Sequence, residues 1–264
     1  MVGLRDDLRL ALDRSAFARA LGLDPDPWQE DLLGSSSDRV LLNCSRQSGK
    51  STISAIIALH RALYHPGSLV LALAPALRQS QELFGKVAGF YRDLGRPVAP
   101  RGERKLSLEL ENGSRIITLP GSEKTIRGFS GVGLLLVDEA SRVDDGLYHA
   151  VRPMLAVSEG ALMMLTTPYG KRGVFYEAWT SSRSGGSSVA YGWERYEVPA
   201  RDCPRISEEF LEEERRALPS WVYRQEYECS FEETEDQVFT TEMIDGAISP
   251  EVTPLFGSAV AGGG

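Results

Sequence analysis

Nine residues constrain this chain more than any others: Cys44-Ser45-Arg46-Gln47-Ser48-Gly49-Lys50-Ser51-Thr52. They stand between Val40-Leu41-Leu42, which reads as a short buried strand, and Ile53-Ser54-Ala55-Ile56-Ile57-Ala58-Leu59, which reads as a helix. Strand, small polar loop and helix form the context in which a phosphate-binding loop works. The loop's N–H groups and the positive end of the helix then face one anion. In that reading Ser45, Gln47, Ser48, Gly49 and Thr52 line a polyphosphate. Lys50 sets a point charge on its β/γ-phosphates, and Ser51 holds Mg²⁺ through its hydroxyl. One position departs from the usual pattern G-x-x-x-x-G-K-[ST]: Cys44 stands where the first Gly is expected.

The remaining composition narrows the class. At 264 residues, with 42% hydrophobic and 25% charged side chains, the chain has ample material for a real core. Cys44, Cys203 and Cys229 are odd in number and form no C-x-x-C pair, and the N-terminus carries no basic-then-apolar leader. Both features point to a reducing cytoplasm rather than secretion. No apolar run approaches the roughly 18–20 residues that span a bilayer. A net charge of −8 argues against a protein that coats nucleic acid, although binding through a local basic patch depends on distribution rather than sum.

Along the chain, residues 4–21 carry helical periodicity through Leu4, Leu8, Leu12, Phe17 and Leu21 and predict a surface helix. Asp24-Pro25-Asp26-Pro27 breaks it, and Trp28 to Leu33 starts another with Pro27 in its first turn. Tyr64-His65-Pro66-Gly67 ends the helix after the loop. Ser68 to Ala74 predicts a second buried strand, followed by a helix over about Gln79 to Leu94. Lys105 to Leu110 and Arg115 to Leu119, joined through Asn112-Gly113, predict a β-hairpin. Gly131 to Asp138 and Ala161 to Thr166 are further buried strands, and Tyr196 to Val198 a last one. Ser181 to Ser188 reads as a Ser/Gly-rich loop. Helices are expected over Ser207 to Ala217 and about Ser220 to Cys229. Short apolar strands separated by helices predict an α/β fold with a mostly parallel sheet covered on both faces.

Two further strand ends carry chemistry. Leu134-Leu135-Leu136-Val137 runs into Asp138-Glu139, two adjacent carboxylates. Asp138 at the strand's end is placed to coordinate Mg²⁺ through water, and Glu139 to accept a proton from water attacking a γ-phosphate. Leu165-Thr166-Thr167-Pro168 closes another strand, and ligands bind at the carboxyl ends of strands in such sheets. Thr166 is therefore expected to hydrogen-bond the γ-phosphate or Glu139.

In this order and spacing, Ser45 to Ser51, Val137-Asp138-Glu139-Ala140 and Thr166-Thr167-Pro168-Tyr169-Gly170 resemble the ATPase motor of phage large terminase subunits. Asn112-Gly113-Ser114, Ile126-Arg127-Gly128, Val174 to Trp179 and Tyr223-Arg224-Gln225-Glu226-Tyr227 extend the resemblance, which runs from about Trp28 to Phe231. It implies a P-loop NTPase of the additional-strand, catalytic-glutamate group with a β-hairpin insertion, hydrolysing ATP with Mg²⁺. Terminases often lack the first Gly of the loop, so Cys44 becomes an expected variant. The same resemblance implies that Gln29 lies near the adenine and that Arg46 is a γ-phosphate contact or a sensor. It matches Arg127 to an arginine that some terminases are thought to offer to the neighbouring subunit's ATP. Double-stranded DNA, a portal protein and a small terminase subunit are the implied partners. A homo-oligomeric ring is the implied active state, in the host cytoplasm, with a monomer the alternative for this chain by itself.

The domain expectation is a motor over residues 1–235, including an N-terminal helical segment at 1–24. Residues 236–264 are then a linker. The resembled family continues into a nuclease domain near Phe239, whose carboxylates are missing here, so no nuclease activity is expected of this chain. Two other functions fit parts of the pattern. A helicase-like translocase shares the fold and chemistry, but no helicase motifs or second motor follow residue 170. A non-catalytic nucleotide-binding scaffold would not need the intact set Lys50, Ser51, Asp138 and Glu139.

Overall fold

Strands buried on both faces need apolar side chains at successive positions, and the sequence supplies four such runs. The computed structural model describes residues 3–121, 128–181 and 192–233. In chain order the elements are α1 (Leu4–Leu12), α2 (Arg14–Ala20), α3 (Pro27–Gly34), β1 (Arg39–Cys44) and α4 (Lys50–Tyr64). Next come β2 (Leu69–Ala74), α5 (Leu77–Asp93), β3 (Pro100–Arg104), β4 (Ser107–Leu110), β5 (Arg115–Pro120) and β6 (Val132–Asp138). They are followed by α6 (Asp145–Val151), β7 (Ala161–Thr166), α7 (Gly173–Thr180), β8 (Glu194–Val198), α8 (Glu208–Ala217) and α9 (Ser220–Tyr227). Contacts divide the chain into Met1–Glu232 and Glu233–Gly264, and nearly all described residues belong to the first unit.

The strands form one eight-stranded sheet in the order β3-β4-β5-β2-β6-β7-β1-β8. From β5 through β8 every neighbouring pair is parallel. The additional strand is β7, seated between β1, which leads into the polar loop, and β6, which carries the carboxylates. Register brings the three ends level: Asn43 pairs with Thr166, and Asp138 with Leu165.

Side chains alternate between two cores. Val40, Leu42, Val70, Ala72, Leu134, Leu136, Met163 and Leu165 face the core closed by α4 and α5. Leu41, Leu69, Leu71, Leu73, Leu135, Val137, Leu162 and Met164 face the core closed by α6 and α7.

Three local expectations are corrected. The periodicity over 4–21 is two helices, because Asp13 adopts extended backbone and its side chain accepts the Ala16 N–H at 2.9 Å as an N-cap. α1 buries none of its residues, and Leu4, Leu8 and Leu12 are exposed. The hairpin around Asn112-Gly113 is present as β4 and β5, but β3 adds a third antiparallel strand. Pro100-Arg101-Gly102-Glu103-Arg104 has neither the apolar alternation nor the β-branched residues that would have marked it. The β2–α5 turn is also tighter than expected, since α5 starts at Leu77 and Gln79 Oε1 accepts the Ala76 N–H at 3.2 Å. The Ser/Gly stretch falls mainly outside the described residues.

His60 of α4 is 5% exposed, with Phe17 edge-on at 5.1 Å and Tyr64 at 4.9 Å. Its Nε2–H donates to the Leu10 carbonyl at 3.1 Å, pinning α1 to α4. Burial lowers its pKa from 6.5 to about 4, so the fold holds the ring neutral. The unfolded chain binds that proton first. The stabilisation is therefore complete above pH 6.5 and is lost as pH falls towards 4, by about 3 kcal/mol. Urea unfolding of wild type and His60→Gln across this window should show the gap between them closing as pH falls. Parallel curves would contradict the assignment.

Candidate functional site

The site forms where β1, β6 and β7 end together. Cys44 is the last residue of β1, in backbone that needs no glycine, and it is fully buried. The departure at the first loop position is thus sterically free. Burial pushes the Cys44 thiol up to about 12, so it is an inert small side chain. The loop's later glycine has no such freedom. Gly49 caps α4 at φ +94°, and a Cβ there would stand 2.8 Å from Gln29 Nε2 and 3.3 Å from Arg205 Nη2. Gln47 also takes a left-handed conformation, at φ 59°.

Lys50 opens α4 and is nearly buried. Its Nζ donates to Thr167 Oγ1 at 3.0 Å and lies 3.3 Å from Glu139 Oε1. The next residue, Ser51, donates its hydroxyl to Asp138 Oδ2 at 3.3 Å. Asp138 Oδ1 accepts the N–H of Glu139 at 3.0 Å, and Glu139 turns out of β6 in a left-handed conformation. Burial, reinforced by the neighbouring Glu139, raises the Asp138 pKa to about 6. One ammonium, two hydroxyls and two carboxylates thus converge from three segments. A hydroxyl and a carboxylate are hard oxygen donors of the kind Mg²⁺ takes alongside phosphate and water. Ser45 Oγ and Ser48 Oγ are buried with no nitrogen or oxygen partner, the Cys203 and Cys44 thiols being beside them. A helix start capped by a glycine that no Cβ could replace, its N–H groups facing the loop, fits an anion.

The structure separates the two threonines at the end of β7. Thr167 faces Lys50, whereas the Thr166 hydroxyl donates to the Thr167 carbonyl at 2.7 Å and accepts the Ser141 N–H at 3.2 Å. Thr166 therefore joins β7 to the turn after Glu139, and the position facing the loop belongs to Thr167. Arg46 is committed to a partner outside the strand ends, with Glu139 close enough to act on its charge. Its backbone N–H donates to the Glu226 carbonyl at 3.0 Å, and its guanidinium is ion-paired with the Glu226 side chain. The stretch Tyr223 to Tyr227 thus holds the loop as well as packing its own helix. Thr52 accepts a hydrogen bond from Lys86 Nζ at 3.1 Å. Arg127 lies outside the described residues.

Gln29 is buried beside the loop, its Oε1 accepting the Asp26 N–H at 3.0 Å. Below it is a brace that the sequence did not signal. Arg205 donates through both Nη atoms to the Asp26 carboxylate at 2.7 Å each, and through Nη2 to the Ser48 carbonyl at 3.0 Å. Arg205 is 179 residues from Asp26 and sits in no motif, so only the folded chain joins them. Removing the guanidinium leaves the buried Asp26 carboxylate unpaired. Arg205→Ala should destabilise the fold by about 2 kcal/mol in denaturant titration and weaken nucleotide binding. Arg205→Lys, which cannot form the bidentate pair, should recover little of either. Full recovery by lysine would refute the fork geometry.

Comparison with known proteins follows from this geometry. The family model described as terminase large subunit, T4likevirus-type, N-terminal, matches residues 41–245. The large terminase subunit of Thermus virus P23-45 is 26% identical over 254 aligned residues, covering 85% of this chain and 52% of that protein. The chain therefore spans about half the length of that relative. Among solved structures, the large terminase ATPase domain of Thermus phage P74-26 superposes with a TM-score of 0.70 at 24% identity, covering 82% of this chain and 97% of that one. The large terminase of the thermophilic bacteriophage D6E, solved in complex with ADP, gives 0.62 at 12% identity, covering 78% and 53%. At these identities the two structures speak for the fold alone.

Proposed function

The chain belongs to the family of large terminase subunits, as its N-terminal domain type, and from that premise we propose that it hydrolyses ATP with Mg²⁺ to drive double-stranded DNA into a viral procapsid. The observation that carries the reading is the convergence of Lys50, Ser51, Asp138, Glu139 and Thr167 at three level strand ends. A scaffold that only held nucleotide would have no use for Glu139 beside the loop lysine. A helicase-like translocase shares these groups, but the family match favours packaging.

In this reading Ser45, Gln47, Ser48, Gly49 and Thr52 cradle the phosphates, and Gln29 lies towards the adenine. Ser51 and Asp138 hold Mg²⁺, which when bound neutralises charge on the β- and γ-phosphates. Lys50, now paired with Glu139, is drawn onto the phosphates, and its departure frees the carboxylate as a base. Glu139 takes a proton from water as the water oxygen bonds to the γ-phosphorus. The bond to the β-phosphate oxygen breaks, giving ADP and phosphate. Thr167, released by Lys50, and Thr166, bonded to the turn after Glu139, pass the change to β7. Arg46 must leave Glu226 to reach the γ-phosphate or sense it. Arg127 serves as a finger for a neighbouring subunit in a ring, acting with portal protein and small subunit in the host cytoplasm.

Steady-state hydrolysis tests the reading. Glu139→Gln should lower kcat by about 10²–10⁴ while nucleotide still binds, and Lys50→Ala should lose binding as well. Wild type turning over no faster than Glu139→Gln at high protein concentration would end the enzyme assignment. For Arg127, the rate per subunit should rise with concentration. Mixing Arg127→Ala with Glu139→Gln should restore part of the activity through hybrid interfaces. Absence of rescue between folded, associating variants would count against a finger acting in trans.

A further inference from the structure

The two strand ends that hold Lys50 continue into a second cluster. Arg142, three residues after Glu139, lays its guanidinium 4.0 Å from the centroid of the Tyr169 ring, and Tyr169 comes two residues after Thr167. Arg172, the N-cap of α7, lies over the same ring at 6.0 Å. Both arginines are exposed and Tyr169 is half-buried. The cluster is fastened to the site by backbone: Arg142 N–H donates to the Glu139 carbonyl at 2.8 Å, and Ser141 N–H to Thr166 Oγ1 at 3.2 Å.

The carboxylates next along the chain each hold a backbone N–H through one oxygen and keep their charge. Asp144 Oδ1 accepts the Gly146 N–H at 2.8 Å, and Asp145 Oδ1 the Val174 N–H at 2.9 Å. Among the described residues, neither Arg142 nor Arg172 has a carboxylate within ion-pair distance. A guanidinium stacked on a ring is held at little entropic cost and keeps its N–H edge turned to solvent. That planar fork matches phosphate oxygens better than a mobile ammonium does.

We propose that Arg142 and Arg172, aligned by Tyr169, contact backbone phosphates of duplex DNA, forming a grip joined directly to both switch strands of the nucleotide site. The inference rests on the packaging-motor reading and adds to it the surface on which the substrate is held. Because Arg142 is bonded to Glu139 and Tyr169 follows Thr167, a shift of either strand end on nucleotide turnover carries the grip with it.

The test pairs DNA binding with DNA-free ATP hydrolysis on the same samples. Binding of a fluorescein-labelled duplex of about 30 base pairs is titrated over a salt series for wild type, the double variant Arg142→Ala/Arg172→Ala, and Tyr169→Phe. Each phosphate contact contributes about 0.9 to the slope of log K against log salt, so the double variant should lose about 1.8 of that slope. Its affinity at low salt should fall on the order of tenfold, with DNA-free hydrolysis within about twofold of wild type. Tyr169→Phe keeps the ring and should match wild type. Arg142→Gln/Arg172→Gln, which keeps side-chain length, should repeat the loss if the alanine pair folds poorly.

An unchanged salt slope, or wild type that hydrolyses ATP without binding the duplex, overturns the grip. So does a pair whose melting temperature and DNA-free hydrolysis fall together while DNA binding stands, since the cluster is then an internal staple. A defect confined to hydrolysis at high protein concentration overturns it too, by giving the arginines to a second copy of the chain. Wild type without ATPase activity is a separate outcome and removes the parent reading.

Discussion

A nearly buried ammonium group must be compensated where it sits, and Lys50 is compensated by groups from two other segments. An unpaired charge there would cost several kcal/mol, more than a single local contact supplies. Glu139 at 3.3 Å and Thr167 at 3.0 Å meet the requirement only if β6 and β7 end level with the loop. The parallel register that pairs Asn43 with Thr166 and Asp138 with Leu165 provides that alignment. The two apolar cores fix the register in turn, since a slip of one residue would exchange the inward and outward faces of every strand. The site is thus a consequence of packing far from it.

The same contact makes the site poised rather than complete. Glu139 is neutralised by the lysine that a phosphate would claim, and Arg46 is held by Glu226. Two groups assigned to chemistry are occupied by protein partners that an anion could displace. The glycine-capped start of α4 points the same way, its N–H groups free to face an anion.

What the sequence made legible follows from the range of the interactions involved. Buried strands, the Asn112-Gly113 turn and the order of loop, carboxylates and Thr-Thr-Pro are local patterns, and each stands where the periodicity placed it. β3 was invisible because its partner strand, not its own composition, makes it a strand. The break at Asp13 depended on one side-chain cap within an otherwise continuous helical period. Thr166 and Thr167 could not be told apart because which hydroxyl faces Lys50 is decided by the pleat and the turn after it. Arg205 lay beyond any sequence pattern, since its partners Asp26 and Ser48 are brought to it by the whole fold.

The central claim is that Lys50 is the movable element, exchanging Glu139 and Thr167 for a polyphosphate. A crystal structure of the chain with Mg²⁺ and a non-hydrolysable ATP analogue tests it most directly. The account predicts the analogue's phosphates in the Cys44–Thr52 loop, Lys50 Nζ on the β/γ-phosphate oxygens, and the Glu139 carboxylate freed towards solvent. An analogue bound outside the loop, or one bound there while Lys50 remains paired with Glu139, would contradict it.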